Sequence, residues 1–112
     1  MGGLGGDRAA DVAEVLIGTR IDPSGVPIVT ISGELDSSNA ASLEEAIAPT
    51  VAKHPDLLVF DLSLLRFMDS AGIAVLVGVA AKVKTVQLRN PSEVVRRVID
   101  LTGLSGVLRI ES

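Results

Sequence analysis

The stretch from Leu57 to Val83 limits what this 112-residue chain can fold into more than any other part. It opens on Leu57-Leu58-Val59-Phe60, a branched and aromatic apolar run of the kind found in buried strands. It closes on Ala71 to Val83, a long apolar run rich in Ala, Leu and Val. Between them stands Met68-Asp69-Ser70-Ala71-Gly72. Asp69 and Ser70 fall where a helix start wants them, because their side-chain oxygens accept from the first, otherwise unpaired backbone N–H groups. The stretch predicts strand, short connection, capped helix. It sets the Ser70 hydroxyl at the mouth of a helix, where partial positive charge gathers. The apolar run contains Lys82 and falls far short of about 18 apolar residues, so it predicts a buried helix and not a membrane span.

The flanks supply a sheet and further helices. A first strand is expected around Val15 to Thr19 and a second over Val26 to Ser32. Asp22-Pro23-Ser24-Gly25 joins them as a turn, with Pro and Gly at the positions that suit them, and Gly33 is expected to close the hairpin. Asp36-Ser37-Ser38-Asn39 is a cluster of N-cap residues. Ala40, Leu43, Ile47 and Val51 then recur at helical spacing. Pro49 inside that helix is expected to kink or end it, at a cost of roughly 3 kcal/mol if the helix continues. Thr85 to Arg89 alternates as a strand. Asn90-Pro91-Ser92 opens a third helix with Val94, Val95, Val98, Ile99 and Leu101 as its inner face, and Gly103 stops it. Val107 to Ile110 completes the set as a strand.

The order β-β-α-β-α-β-α-β predicts an α/β fold. It is a single mixed β-sheet, an N-terminal hairpin followed by parallel strands, with about three helices packed against it. Residues 1–11 are expected to be a flexible tail without the apolar core of a secretory leader, and residues 12–112 one domain.

Composition narrows the functions. Hydrophobic residues make up 47% and charged ones 21%, enough for a core. Phe60 and Phe67 are the only aromatic residues, so base stacking is poorly supplied. A net charge of −4 argues against nucleic acid or an anionic membrane as partner. There is no cysteine, hence no thiol nucleophile and no Cys-type zinc site. No metal or cofactor is expected. Catalysis by Ser70 would need a base, and the only histidine, His54, stands at the far end of the preceding strand. Neither a Gly-x-Ser-x-Gly elbow nor a phosphate-binding glycine loop is present, so no enzyme is expected.

Several segments taken together are specific. Gly33-Glu34-Leu35-Asp36, Leu43-Glu44-Glu45-Ala46, Val59-Phe60-Asp61-Leu62-Ser63, Phe67-Met68-Asp69-Ser70-Ala71-Gly72-Ile73, Leu88-Arg89-Asn90-Pro91 and Leu101-Thr102-Gly103-Leu104 occur in this order. In this they resemble the STAS domain of bacterial anti-sigma factor antagonists. The resemblance implies a cytoplasmic partner-switching protein, monomeric or weakly dimeric. It would bind an anti-sigma factor that is also a serine kinase, and so release a sigma factor. The kinase would phosphorylate Ser70 and the complex would fall apart; a PPM-type phosphatase would reset it. Asp36, Asp69, Ser70 and Gly72 are the residues the resemblance assigns to the partner-facing surface. The alternative within the family is a non-switching scaffold, of the stressosome or transport-associated kind. One departure from the family pattern is a short link, Ala80 to Val86, after the central helix.

The physics of Ser70 fits such a switch. Phosphorylation adds about −1.5 to −2 charge. In the free protein the helix mouth attracts that charge by roughly 0.3–1 kcal/mol, opposed by Asp69 next door. Buried in an interface without a partner, the same charge costs about 3–5 kcal/mol. The bland reading of Ser70 is plain helix capping. Asp61 is expected as a strand-end hydrogen-bond partner, Arg96 and Arg97 as a solvated helix face, and His54 as a surface loop residue.

Overall fold

The computed structural model describes residues 14–103 and 106–111. The expected N-terminal tail, residues 1–11, and Leu104 of the Leu-Thr-Gly-Leu segment lie outside them. Strand β1 (Val15–Ile21) pairs antiparallel with β2 (Pro27–Leu35), from Val15 opposite Gly33 to Ile21 opposite Pro27. The expected turn joins them: Asp22 Oδ1 accepts from the backbone N–H of Ser24 and Val26, and Gly25 takes φ +86°.

Gly33 is the last residue of the β1–β2 pairing, as expected, but it does not end the strand. β2 runs through it at φ +101° and continues to Leu35. The reason is a change of partner. β2 uses Ile28–Thr30 to pair with β3 (Leu57–Asp61), then Gly33–Leu35 to pair with β4 (Leu65–Met68), both in parallel. The register shifts between Gly33 and Glu34. β4 is an additional strand in what the sequence reads as a connection. Only its two ends are buried, so it shows no alternation to detect.

The remaining strands are β5 (Thr85–Arg89) and β6 (Arg109–Glu111), giving a mixed sheet in the order β1-β2-β3-β5-β6 with β4 beside β2. The last strand thus sits slightly later than the expected Val107–Ile110. Val29, Phe60 and Leu88 stand in one row across the sheet, fully buried. Removing each such side chain from water contributes about 1.5–3 kcal/mol.

Three helices are present among the described residues: α1 (Ala40–Ala52), α2 (Ser70–Ala80) and α3 (Glu93–Leu101). α1 buries Leu43, Ile47 and Val51, and it does not end at Pro49. The ring and Glu45 are both exposed, and Pro49 supplies no N–H to the Glu45 carbonyl. Burial of Val51 holds the last turn in place. α2 buries Gly72, Ile73, Val75, Leu76 and Val79 and packs against α1. A four-residue link, 81–84, leads from it to β5. α3 packs on β4. Its inner face is narrower than expected: Val95 and Ile99 are buried and Val98 half-buried, but Val94 and Leu101 are exposed. Both lie to the side of the Val95–Ile99 stripe, beyond what one helix face can cover. Gly103 stops the helix at φ +72°, donating to the Asp100 carbonyl at 3.1 Å.

Candidate functional site

The β2–β4 pairing assembles the site. Leu35 lies opposite Met68, so the residues that follow the two strands, Asp36 and Asp69, leave the sheet side by side. The Asp69 N–H donates to the Leu35 carbonyl at 3.2 Å, which ties the start of α2 to the end of β2. Asp36 and Asp69 are half-buried and Ser70 is exposed. All four expected site residues are thereby gathered at one end of the sheet, three of them reaching the surface.

Asp69 and Ser70 divide the work that the sequence left shared. Asp69 is the N-cap, with extended backbone; its Oδ1 accepts from Ala71 N at 2.9 Å and Gly72 N at 3.4 Å. Ser70 is the first helical residue, and its hydroxyl joins no hydrogen bond among the described residues. Plain capping therefore does not explain Ser70. Asp69→Ala should cost about 1 kcal/mol and lower the melting temperature by roughly 4–6 °C. Ser70→Ala should leave it within experimental scatter. Thermal unfolding followed by circular dichroism measures both; equal losses would reassign the cap.

Gly72, expected at the partner-facing surface, is buried. A Cβ there would stand 2.6 Å from Met68 Cγ and 2.8 Å from Leu35 Cδ2, both fully buried side chains. Gly72 thus acts by packing: it lets the first turn of α2 sit down on the ends of β2 and β4. Gly72→Ala should overpack this contact by about 1–3 kcal/mol. Urea unfolding should show a lower midpoint at unchanged slope.

Asn39 is a site residue that sequence reasoning assigned to the wrong task. It occupies the N-cap position of α1, but its side chain makes no capping bond. At 7% exposure it turns back to bracket the end of β2. Nδ2 donates to the Glu34 carbonyl at 2.8 Å, and Oδ1 accepts from Asp36 N at 3.0 Å. Asp36 Oδ1 in turn accepts from Ser38 N at 2.8 Å and Ser38 Oγ at 2.6 Å. The signal was the Asp-x-x-Asn spacing: an amide carries both the donor and the acceptor that a bracket needs. Glu34 adds a third carboxylate nearby and meets Arg66 at 3.7 Å, an exposed pair of small energetic weight.

The remaining polar residues stand apart. His54 is exposed, and its Nδ1 lies 3.2 Å from the Lys82 carbonyl, beyond the C-terminal end of α2. The length of α2 separates it from Ser70 by roughly 16 Å at 1.5 Å per residue, so no Ser–His pair exists. Asp61 Oδ1 accepts from Ser63 N at 3.0 Å, a strand-end bond as expected. Arg96 and Arg97 are exposed. A groove of about 430 Å³ runs between α1 and α2, lined by Ile47, Val51, Val75 and Val79; Ser70 does not line it. Among the described residues no group of three His, Asp or Glu could hold a metal ion, and no helix is long and apolar enough to cross a membrane.

Comparison with known proteins gives a consistent picture. The model of the STAS domain matches residues 21–112. The anti-sigma-F factor antagonist RsfB of Mycobacterium tuberculosis is 39% identical over 97 residues, covering 84% of this chain and 80% of that protein. The anti-sigma-B factor antagonist of Bacillus subtilis is 35% identical over 88 residues, covering 75% and 80%. A crystal structure of an anti-sigma factor antagonist from Mycobacterium paratuberculosis matches with a TM-score of 0.80 at 33% identity, over 87% of this chain and 85% of that one.

Proposed function

This chain belongs to the STAS-domain family of bacterial anti-sigma factor antagonists, and from that footing we propose that it binds an anti-sigma factor and is released by phosphorylation of Ser70. One observation carries the switch: the Ser70 hydroxyl is exposed at the opening of α2 and joins no hydrogen bond among the described residues, while Asp69 does the capping. A kinase can reach it, and modifying it removes no hydrogen bond of the fold. The partner in this reading is an anti-sigma factor that is also a serine kinase, and a PPM-type phosphatase restores the free hydroxyl. The protein works in the cytoplasm as a monomer or weak dimer. Asp36 and Asp69 flank the hydroxyl within the contact, and Gly72 sets its height.

Incubation with ATP and a purified anti-sigma kinase, followed by intact mass measurement, tests this. One added phosphate on the wild type and none on Ser70→Ala is the expected result. Phosphate on Ser70→Ala, or none on the wild type, would overturn it. Stable binding without any phosphorylation would leave the non-switching scaffold.

A further inference from the structure

We propose that Phe67, with Leu64 and Val94, is the apolar anchor that the anti-sigma factor covers beside Ser70; this rests on the partner-binding reading above. The chain holds two aromatic residues. Phe60 is fully buried in the core, whereas Phe67 keeps 41% of its surface in water. Phe67 stands two residues before Asp69 on β4, and its register partner on β2 is Glu34, two residues before Asp36. The ring therefore stands three residues before the switch hydroxyl, along the strip made of the β2–β4 pair and the first turn of α2. Leu64, immediately before β4, is 61% exposed, and Val94, on the helix that packs against β4, is 55% exposed.

An apolar centre with a charged margin is the anatomy of a protein–protein contact, and aromatic anchors dominate the binding energy of such contacts. The margin here carries the carboxylates of Asp36 and Asp69, and that of Glu34, which meets Arg66 at 3.7 Å. The complementary occupant is an anti-sigma surface with an apolar ridge over Phe67 and cations matched to those carboxylates. A phosphate on Ser70 exceeds that match and enters the part of the contact from which the ring excludes water. Charge matching and dry packing then fail together.

The test is calorimetric titration of Phe67→Ser and, separately, Val94→Ser against the purified anti-sigma factors of the source genome, beside the wild type and Ser70→Asp. Both apolar variants should bind at least about tenfold more weakly with unchanged thermal unfolding. Val94→Ser, on another element, keeps the test decisive should Phe67→Ser fail to fold. Wild-type affinity in the apolar variants, with Ser70→Asp not binding, overturns the anchor and leaves the antagonist reading standing. Undiminished binding by Ser70→Asp, or no binding by the wild type, overturns the antagonist reading instead. If Phe67→Ser abolishes only self-association in light scattering, a second copy covers the strip and the anchor is overturned.

Discussion

Ser70→Asp should weaken anti-sigma binding by a few hundred-fold or more, while Ser70→Ala binds as the wild type does. The size follows from where the charge goes. An unpaired charge closed inside an interface costs about 3–5 kcal/mol, and each 1.4 kcal/mol is about tenfold in affinity. In the free protein the same carboxylate stays in water at the first residue of α2, since Ser70 is exposed. It also meets the helix mouth, where an acidic side chain is tolerated. The fold of Ser70→Asp should therefore be as stable as the wild type to within about 1 kcal/mol. The effect sits in binding alone. Equal affinity for Ser70→Asp and Ser70→Ala, measured by calorimetry, would remove Ser70 from the contact.

Gly33→Val should destabilise the fold by about 3 kcal/mol or more, through two causes acting at one residue. The backbone at Gly33 has φ +101°, which a β-branched residue resists at a cost of about 1–3 kcal/mol. A Cβ there would also strike the Glu14 carbonyl oxygen, which is backbone and has nowhere to go. That carbonyl accepts from Glu34 N at 2.9 Å, and Gly33 N donates to the Leu64 carbonyl at 3.0 Å, so the clash attacks the point where β2 changes partner. Gly25→Val is the control. Gly25 also has a positive φ, +86°, but open space around a Cβ, so it should show the strain without the clash. A melting temperature lower by 10 °C or more for Gly33→Val, and clearly less for Gly25→Val, is the expected result. Equal losses would mean that the close approach to Glu14 contributes nothing.

The site was readable in outline because its signals are local. The apolar runs on either side of Asp69-Ser70 predict strand and helix, and the helix starts at Ser70 as the capping residues demand. Which of the two caps was not readable. Asp and Ser are nearly equal as N-cap residues, and only the extended backbone at Asp69 decides. β4 stayed hidden because pairing with β2 creates it and its own sequence does not alternate. The continuation of β2 past the register shift at Gly33 is hidden for the same reason: the Gly33 N–H donates to Leu64, a residue with no local link to it. Propensity alone would stop the helix at Pro49, but burial of Val51 carries it on to Ala52. Helical spacing alone assigns Val94 and Leu101 to the core, yet both are exposed.

The most direct test compares phosphorylated and unmodified protein in one titration. The chain is phosphorylated on Ser70 by the anti-sigma kinase, purified, and titrated by calorimetry against that same anti-sigma factor in its nucleotide-bound form. A phosphatase-treated aliquot follows. Tight binding by the unmodified protein, none by the phosphoprotein, and full recovery after phosphatase treatment is the predicted result. Equal affinity before and after phosphorylation would contradict it.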